Sequence, residues 1–561
     1  MIEKVPGYDA QTNSIPTALE MFYHWEQTKP NDVYLRQPIG NKWIDYTWQD
    51  CGDQIRRTAS YIRSLNLPEK SKIALVSKNY AHWIMADLAI IMSGNTTVPF
   101  YPNLTSNQLN QVLTHSDSKV ILTGKLDDWE NMRAGVPAEV QGIAMPMSTD
   151  GTYMTWEKIQ EEYPRLEENY IPNKSDLSSI LYTSGTTGSP KGVMLEHNSY
   201  IKGLVAISKL IDVFSTPHRY FSFLPLNHVA EKNVVEHGSL YNGGTIHFAE
   251  SLETFAKNLQ ETSPTMFFAV PRIWTKFQLG VLSKMPQKKL DLLFKIPILN
   301  NNIKRKIRKG LGLNDAKIVL TAAAPCPESV HNWYQKLGID LQELYGMTEN
   351  NGACTVMTLE NKVIGTVGQP YPSSDLKIDA ESKEIMMKAE WVMRGYYKEP
   401  DMTAEVMKDG YLHTGDMGEI GEDGMLRITG RVKDTFKTAK GEYIVPGPIE
   451  WGFALNNSVE QVCLLGRNLG QPVALIVLSE IGRNVQTEEL SKSLSATVKS
   501  INKDLVDYER IKKIIIAKED WTIDNGILTP TLKVKRNVLE ARYEDRLEGW
   551  YNESEDVIWE A

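Results

Sequence analysis

The stretch "LYTSGTTGSPKGVML" runs from Leu181 to Leu195, and it decides how the rest of the chain is interpreted. Its glycines let the backbone turn so that N–H groups converge, while small hydroxyl side chains and Lys191 add further donors. Such a set of donors favours a loop that holds a chain of phosphates. The pattern is not a Walker A loop, because Gly192 rather than Ser or Thr follows Lys191. The segment "GVMLEH" then predicts a strand, with a helix starting near Asn198.

Strand-like and helix-like segments alternate on both sides of this loop. Short β-branched runs such as "SKIALVS", "SKVILTG" and "AKIVLTA" predict strands, and "QDCGDQIRRTASYIRSLNL" predicts a helix with one apolar face. The alternation predicts an α/β fold built in layers. Asp423-Gly424 predicts a tight hairpin, and we place a domain boundary just after it. We expect a large N-terminal domain over residues 1–430 and a small C-terminal α+β domain over residues 431–561.

Composition and charge exclude several classes of protein. The 561 residues carry a net charge of −9, which argues against nucleic-acid binding, since a nucleic-acid binder normally presents a basic face. Four widely spaced cysteines form neither a CxxC pair nor a disulfide framework, and no apolar run approaches the length of a membrane span. The first ten residues lack the pattern of an export signal. We expect a cytoplasmic protein.

The loop is one of a series of motifs that occur in a fixed order. Downstream of it come "LPLNHVAE" (224–231), "TAAAPCP" (321–327), "LYGMTEN" (344–350), "YLHTGD" (411–416), "GRVKDTFK" (430–437) and "TPTLKVKR" (529–536). Together with "YTSGTTGSPKG" they resemble the adenylate-forming enzymes, a family that includes acyl-CoA synthetases, firefly luciferase and peptide-synthetase adenylation domains. The resemblance extends from about Asp45 to the C-terminus.

This resemblance implies a large multi-layered domain with a small mobile C-terminal domain, and a reaction in two steps. A carboxylate attacks the α-phosphate of Mg-ATP to give an acyl adenylate and pyrophosphate, and a thiol, that of CoA in the synthetases, then displaces AMP. The form of "LPLNHVAE", "YGMTEN" and "TPTLKVKR" is most similar to long-chain fatty acyl-CoA synthetases. That branch implies a long-chain fatty acid as substrate.

The resemblance also implies which residues hold the nucleotide. The β and γ phosphates would be bound by residues of the opening loop: Thr183, Ser184, Gly185, Thr186, Thr187 and Lys191. Tyr345 would stack on adenine, with the backbone around Ala323 and Gly346 closing the pocket. Thr348 would donate to the α-phosphate, and Glu349 would bind Mg²⁺, a hard cation that takes carboxylate and phosphate oxygens.

The C-terminal motifs carry a second group of implied roles. Asp416 and Arg431 would hold the ribose hydroxyls, although a structural ion pair is an alternative for them. Lys433 matches a hinge position, and Lys437 a position linked to the second step. Lys533 matches the lysine of the adenylation step. A solvated charge is the alternative for each of these lysines, and the neighbouring Lys535 and Arg536 are expected to face solvent.

Other positions leave two interpretations open. His228 is either part of the wall between acyl pocket and thiol channel or a neutral histidine satisfied in the core. The apolar run 264–274 offers tunnel residues, yet such runs are more often core. The segment 284–310 mixes nine basic residues with apolar ones and is either a peripheral membrane contact or a solvated face. Gly447-Pro448 and Ala322 depart from the family pattern.

Three functions remain compatible with these motifs. The first is an AMP-forming ligase that joins a long-chain fatty acid to CoA. The second is an adenylating enzyme for another acid or another acceptor, such as a carrier protein. The third is a non-catalytic relative that only binds nucleotide or acid, which the presence of Glu349, Asp416, Arg431 and Lys533 disfavours. No carrier segment follows Lys533, so we expect any acceptor to be a separate molecule.

Overall fold

The computed structural model describes residues 2–183, 191–523, 525–529 and 533–560, without the side chains of 297–299. Sheets and helices alternate along these residues, so the predicted α/β fold is confirmed. The described chain forms two compact units. One comprises residues 2–183, 191–376 and 387–412, and the other comprises residues 377–386 and 413–560.

The largest sheet belongs to the first unit and has eight strands. In spatial order its strands are Gly395–Tyr396, Lys191–Glu196, Leu177–Thr183, Thr96–Phe100, Lys72–Val76, Val120–Thr123, Gln141–Ala144 and Met154–Thr155. Most neighbours are parallel, but Lys191–Glu196 runs antiparallel to both of its neighbours. The predicted phosphate loop therefore joins two adjacent antiparallel strands, which brings its two ends together.

Two further sheets complete the first unit. One has the order Met266–Ala269, Ile318–Thr321, Gln342–Tyr345, Thr355–Val356 and Gln369–Pro370; the other has the order Arg219–Ser222, Thr245–Phe248, Val33–Ile39 and Lys42–Thr47. Two of the predicted site motifs, "TAAAPCP" and "LYGMTEN", lie at the carboxyl ends of the neighbouring parallel strands Ile318–Thr321 and Gln342–Tyr345. Ligands of open α/β sheets bind at such ends.

The remaining strands form smaller sheets. Asp375–Ile378, Glu384–Lys388, Tyr411–Ile420 and Met407–Lys408 form one path, with Leu426–Arg431 paired to Tyr411–Ile420; Phe436–Lys437 pairs with Tyr443–Ile444; and Val459–Leu465, Val473–Leu478, Lys513–Ile516 and Val557–Trp559 form a four-stranded sheet. The hairpin predicted at Asp423-Gly424 is confirmed, with Gly424 at φ +73° in its turn.

Helices cover these sheets. The α-helices of the first unit are Ala18–Thr28, Trp48–Ser64, Ala81–Met92, Ser106–Ser116, Trp129–Met132, Trp156–Glu162, His197–Ser208, Val229–Glu231, Gly238–Asn242, Phe255–Thr262, Pro271–Lys284, Gln287–Phe294, Pro297–Gly310, Glu328–Lys336 and Pro400–Val406. Those of the second unit are Pro446–Trp451, Glu480–Arg483, Thr487–Asn502 and Arg536–Asn552. A π-helical segment, Lys232–His237, follows Val229–Glu231 without a break. Within the described residues, no helix is both long enough and apolar enough to cross a bilayer.

The periodicity of the sequence predicted individual elements correctly. Helix Trp48–Ser64 buries Ile55, Ala59 and Ile62 on one face, and Thr47 caps its N-terminus. The three β-branched runs form strands as predicted. Buried apolar faces of this kind hold the layers together, because each fully buried Leu, Ile or Val contributes about 1.5–3 kcal/mol.

The expectation that Arg536 faces solvent is wrong. Its side chain is 13% exposed, and its Nη2 lies 2.7 Å from Oε1 of Glu450. The guanidinium also donates to the carbonyl of Leu464, within the second unit. A buried guanidinium needs such partners, so Arg536 ties the last helix to the neighbouring strand.

The basic segment 284–310 forms the helices Gln287–Phe294 and Pro297–Gly310 at the surface of the first unit. Leu292 is 63% exposed between exposed lysines, and the Nζ of Lys304 lies 5.4 Å from the ring centroid of Phe294. The surface of these helices is therefore cationic with an apolar residue within it.

Candidate functional site: two strand ends beside an apolar cavity

The two residues that flank the predicted phosphate loop lie opposite each other in the largest sheet. Thr183 ends one strand and pairs in register with Lys191, which begins the next strand. Ser184, Gly185, Thr186 and Thr187 lie outside the described residues. Their proposed contacts with phosphate stay predictions.

Lys191 and Glu349, the predicted magnesium ligand, both contact Tyr396. Glu349 is in the short 3₁₀ helix Thr348–Asn350 and is 7% exposed. The hydroxyl of Tyr396 donates to Oε1 of Glu349 at 2.7 Å, and Nζ of Lys191 lies 5.6 Å from the centre of the Tyr396 ring. Burial and the adjacent Glu349 raise the pKa of Tyr396, which keeps its phenol protonated as a donor. Tyr396 therefore contacts both the ammonium of Lys191 and the carboxylate of Glu349.

The residues predicted to enclose adenine lie at two neighbouring strand ends. Tyr345 is the last residue of its strand, and Gly346 follows it. A Cβ at position 346 would overlap the carbonyl group of Gly352, so only glycine fits there. Thr348 is buried directly beyond this turn. The sequence therefore folds Tyr345, Thr348 and Glu349 into one tight segment.

A buried histidine and a buried glutamate form hydrogen bonds next to this segment. Nε2 of His331 lies 3.0 Å from Oε2 of Glu343, and Oε1 of Glu343 accepts from the backbone N–H of Cys326 at 3.0 Å. Burial raises the pKa of Glu343. The pair links the loop after Thr321 to the strand that ends in Tyr345. Sequence analysis did not identify this pair, because its members lie on a helix and a separate strand that no local pattern brings together.

Ala323 has a backbone conformation that L-residues rarely adopt. Its φ is +74°, in the left-handed region, and its side chain is exposed. An alanine there costs about 1–2 kcal/mol, whereas glycine costs about 0.5–1 kcal/mol in unfolded-chain entropy. The loop therefore holds strain at the position predicted to border adenine.

We expect Ala323→Gly to leave the free energy of unfolding unchanged or to raise it by up to about 1 kcal/mol, because the strain is released. Ala322→Gly is the matched control. Ala322 does not have a positive φ, so glycine there should lower that free energy by about 0.5–1 kcal/mol. Urea denaturation of the two variants measures the difference, and equal losses would show that position 323 is not strained.

An apolar cavity, about 720 Å³ when its opening to solvent is included, lies beside these strand ends. Part of its wall neighbours the predicted nucleotide residues in sequence: Ala322, Leu344, Gly352 and Ala353. The wall elsewhere is formed mainly by aliphatic and aromatic side chains, including Leu204, Ile207, Val213, Phe214, Met266 and Phe268. No charged side chain lines it among the described residues. Such a cavity suits an apolar ligand whose polar end lies near the predicted nucleotide residues.

Only part of the run 264–274, which was predicted to offer tunnel residues, lines this cavity. Met266 and Phe268 line the cavity, because alternate residues of a strand face the same side. Phe267 and Trp274 pack instead in a separate core with Leu290. The apolar run therefore serves both the cavity and the core behind it.

His228 directly precedes the helix Val229–Glu231 as its N-cap residue, and it is half-buried. Its Nδ1 accepts the backbone N–H of Ala230 at 3.2 Å, which makes it a helix cap. The next residues include Ala230, Asn233 and Val234, which line the cavity. His228 therefore lies at the start of a segment that lines the cavity.

In the second unit, Asp416 and Arg431 are paired. Nε of Arg431 lies 2.7 Å from Oδ1 of Asp416, and their side chains are 51% and 10% exposed. The loop before Asp416 is held by Glu384, whose Oε1 accepts from the N–H of Gly415 at 2.8 Å. The ion pair predicted as an alternative is present, and a paired carboxylate still has lone pairs for ribose hydroxyls.

The three lysines of the second unit with predicted roles, Lys433, Lys437 and Lys533, are exposed. Lys433 lies in the 3₁₀ turn Val432–Asp434, and Nζ of Lys437 lies 5.1 Å from the ring centroid of Tyr443. The backbone of Lys533 is fixed by Thr529, whose N–H donates to the carbonyl of Lys533 at 2.9 Å. The hydroxyl of Thr529 accepts from the N–H of Lys533 at 3.0 Å. Thr529 therefore orients the residue that carries the predicted catalytic amine.

Family models match most of this chain. A model described as AMP-binding enzyme matches residues 22–397, and one described as AMP-binding enzyme C-terminal domain matches residues 433–555. The chain belongs to the AMP-binding enzyme family. The family resemblance stated from the motifs is thereby confirmed.

Curated proteins similar to this AMP-binding enzyme include two ligases. Long-chain-fatty-acid–CoA ligase 5 of Mus musculus is 29% identical, with 94% of this chain and 86% of the relative covered. Long-chain-fatty-acid–CoA ligase FadD15 of Mycobacterium tuberculosis is 26% identical, with 95% and 96% covered. The similarity thus extends over nearly the whole of each protein.

Solved structures share the fold. The adenylation domain of a carboxylate reductase from Mycobacterium chelonae aligns with a TM-score of 0.79 at 20% identity, covering 96% of this chain and 91% of that chain. An anthranilate CoA ligase in complex with anthranoyl-AMP aligns with a TM-score of 0.76 at 18% identity, covering 97% and 99%. The predicted adenylate-forming fold is confirmed.

Glu349 suits a magnesium ion that arrives with ATP. Mg²⁺ takes one or two carboxylates together with phosphate oxygens and water. Among the residues that the structure describes, no group of three His, Cys, Asp or Glu side chains could hold a metal alone. In this AMP-binding enzyme, Glu349 is a single buried carboxylate whose Oε1 already accepts one hydrogen bond. Further lone pairs remain for a metal.

Proposed function

We propose that this AMP-binding enzyme is an ATP-dependent long-chain fatty acid–CoA ligase that acts through an acyl-AMP intermediate. A fatty acid carboxylate attacks the α-phosphate of ATP, with release of pyrophosphate, and the CoA thiol then attacks the acyl carbon, with release of AMP. The observation that carries the proposal is the apolar cavity without charged residues in its described lining, whose wall includes Leu344 and Gly352, on either side of Thr348 and Glu349 in the sequence. Relatives named long-chain-fatty-acid–CoA ligases align along nearly the full chain.

The roles of individual residues form part of this proposal. Lys191 supplies charge to the leaving pyrophosphate, and Thr348 donates to the α-phosphate. Glu349 would hold Mg²⁺, which when bound neutralises phosphate charge. Tyr345, Gly346 and Ala323 would enclose adenine.

Residues of the second unit complete the proposed machinery. Asp416 and Arg431 would bind ribose, Lys533 would serve the first step, and Lys437 the second. We propose that the moving domain begins at residue 431. Its hinge would lie at Lys433. His228 would form part of the wall between the acyl chain and the thiol.

The cavity determines which acid is preferred. Each buried CH₂ contributes up to about 0.8 kcal/mol, so turnover efficiency should rise steeply from acetate to a C16 acid. The test is pyrophosphate release with ATP and a panel of C2 to C20 acids, with and without CoA. A preference for acetate or an aromatic acid would overturn the long-chain assignment. Pyrophosphate release that CoA leaves unaffected would indicate another acceptor.

We also propose a cytoplasmic location with peripheral membrane contact through residues 284–310. Nine basic residues and the exposed Leu292 support this contact, since anionic lipid attracts such a surface. Retention of the protein on anionic but not neutral vesicles tests it, and equal retention on both would contradict it.

A further inference from the structure

A single tyrosine connects the two groups proposed to act on the phosphates of ATP. Tyr396 is 4% exposed, donates to Glu349 and lies under the ammonium of Lys191. Its strand, Gly395–Tyr396, pairs antiparallel with the strand that begins at Lys191, with Tyr396 opposite Val193. All these contacts lie within the first unit.

The backbone of Tyr396 is itself fixed. Its N–H donates to the hydroxyl of Thr403 at 2.9 Å, and that hydroxyl donates to the carbonyl of Glu399 at 2.8 Å. The N–H of Met393 donates to the carbonyl of Glu349 at 2.8 Å. Segment 393–403 therefore holds the Glu349 backbone at one point and its carboxylate at another.

This arrangement has a direct chemical consequence. A buried carboxylate that accepts a short hydrogen bond from a fixed phenol loses rotational freedom, so its remaining lone pairs keep one orientation. The face of the same ring attracts the Lys191 cation, whose distance of 5.6 Å is within the range of such contacts. One rigid side chain thereby sets the spacing between a cation and a carboxylate.

We propose that Tyr396 is a positioning residue that presets Glu349 for the magnesium of Mg-ATP and Lys191 for the adjoining phosphates. The inference rests on the proposed function, because it assumes that this site binds Mg-ATP. Tyr396 acts through Glu349 and Lys191 and does not itself touch the reacting atoms.

The test compares two adjacent tyrosines. Tyr396→Phe removes the hydrogen bond to Glu349 and keeps the ring. Tyr397→Phe is the matched control, since its hydroxyl donates to Asp117 at 3.2 Å, away from Glu349. Binding of a non-hydrolysable ATP analogue is measured against Mg²⁺ concentration, and Mn²⁺ binding in the presence of the analogue is measured by electron paramagnetic resonance.

We expect Tyr396→Phe to raise the Mg²⁺ and Mn²⁺ concentrations for half-saturation about tenfold or more, the scale of losing a partner that orients a metal ligand. Tyr397→Phe should match the wild type. The KM for fatty acid should stay unchanged in both variants. Equal metal dependence of the two variants would overturn the assignment.

A double-mutant cycle separates positioning from a general loss of structure. If Tyr396 acts through Glu349, Tyr396→Phe should not raise the metal requirement further in a Glu349→Gln background. Additive losses would overturn the proposal, even if Tyr396→Phe lowers the melting temperature. Failure of the wild type to bind the analogue at any Mg²⁺ concentration would refute the proposed function rather than the role of Tyr396 alone.

Discussion

Glu349→Gln is expected to lower acyl-adenylate formation by about two to three orders of magnitude, the scale of removing one electrostatic stabiliser from a transition state. The amide has nearly the shape of the carboxylate but carries no charge for Mg²⁺. Its oxygen can still accept from Tyr396, so the segment around Thr348 should keep its fold. Fatty-acid-dependent ATP–pyrophosphate exchange measures the loss.

The control for this variant is Glu390→Gln. The Glu390 side chain is 70% exposed and lies 3.1 Å from Lys202, so this substitution removes the same charge from a solvated ion pair. We expect it to retain wild-type exchange. Comparable exchange in the Glu349 and Glu390 variants would show that Glu349 binds no metal in the reaction.

Local patterns predicted much of the fold because they report which face of an element is buried. The helix at Trp48–Ser64 and the strand at Lys191–Glu196 each follow from the period of their apolar residues. The turn at Gly346 does not follow from such a period. Its glycine was assigned to the adenine pocket by resemblance, whereas the structure shows a clash with Gly352 that requires it.

Long-range contacts could not be predicted in the same way. Tyr396 is 47 residues from Glu349, and only the pairing of Gly395–Tyr396 with Lys191–Glu196 brings it beside Lys191. Arg536 was expected in solvent because it ends a basic run. Its guanidinium instead donates a hydrogen bond to the carboxylate of Glu450, 86 residues earlier. The charge pattern of one segment does not reveal a partner on another.

The cavity illustrates the same limit. The run 264–274 is apolar throughout, so hydropathy alone cannot separate residues that line a cavity from residues that fill a core. The structure separates them by strand alternation, with Met266 on one side and Phe267 on the other. The residues that line the cavity can therefore be assigned from the structure, whereas the hydropathy of the sequence does not distinguish them from core residues.

Lys533→Ala is expected to lose two or more orders of magnitude in acyl-adenylate formation. A carboxylate that approaches an anionic phosphate to about 3 Å is repelled by about 5 kcal/mol at an effective dielectric constant near 20, so a cation is needed where they meet. The Lys533 side chain is exposed, and the two hydrogen bonds with Thr529 involve only its backbone. Truncation to alanine leaves the groups that form both of these hydrogen bonds in place.

Two half-reactions measured separately test this role. Pyrophosphate release with fatty acid and ATP reports the first step, and conversion of supplied acyl-AMP and CoA to thioester reports the second. The family resemblance implies that Lys533 serves the first step only, so the variant should catalyse the second at nearly the wild-type rate. Lys535→Ala, two residues along the chain, removes a cation from the same basic run and should affect neither step. Because both substitutions change the net charge equally, a loss confined to Lys533→Ala and to the first step can come only from the position of that amine. Equal losses in both steps would contradict the division of labour, and no loss in the first would exclude Lys533 as the adenylation lysine.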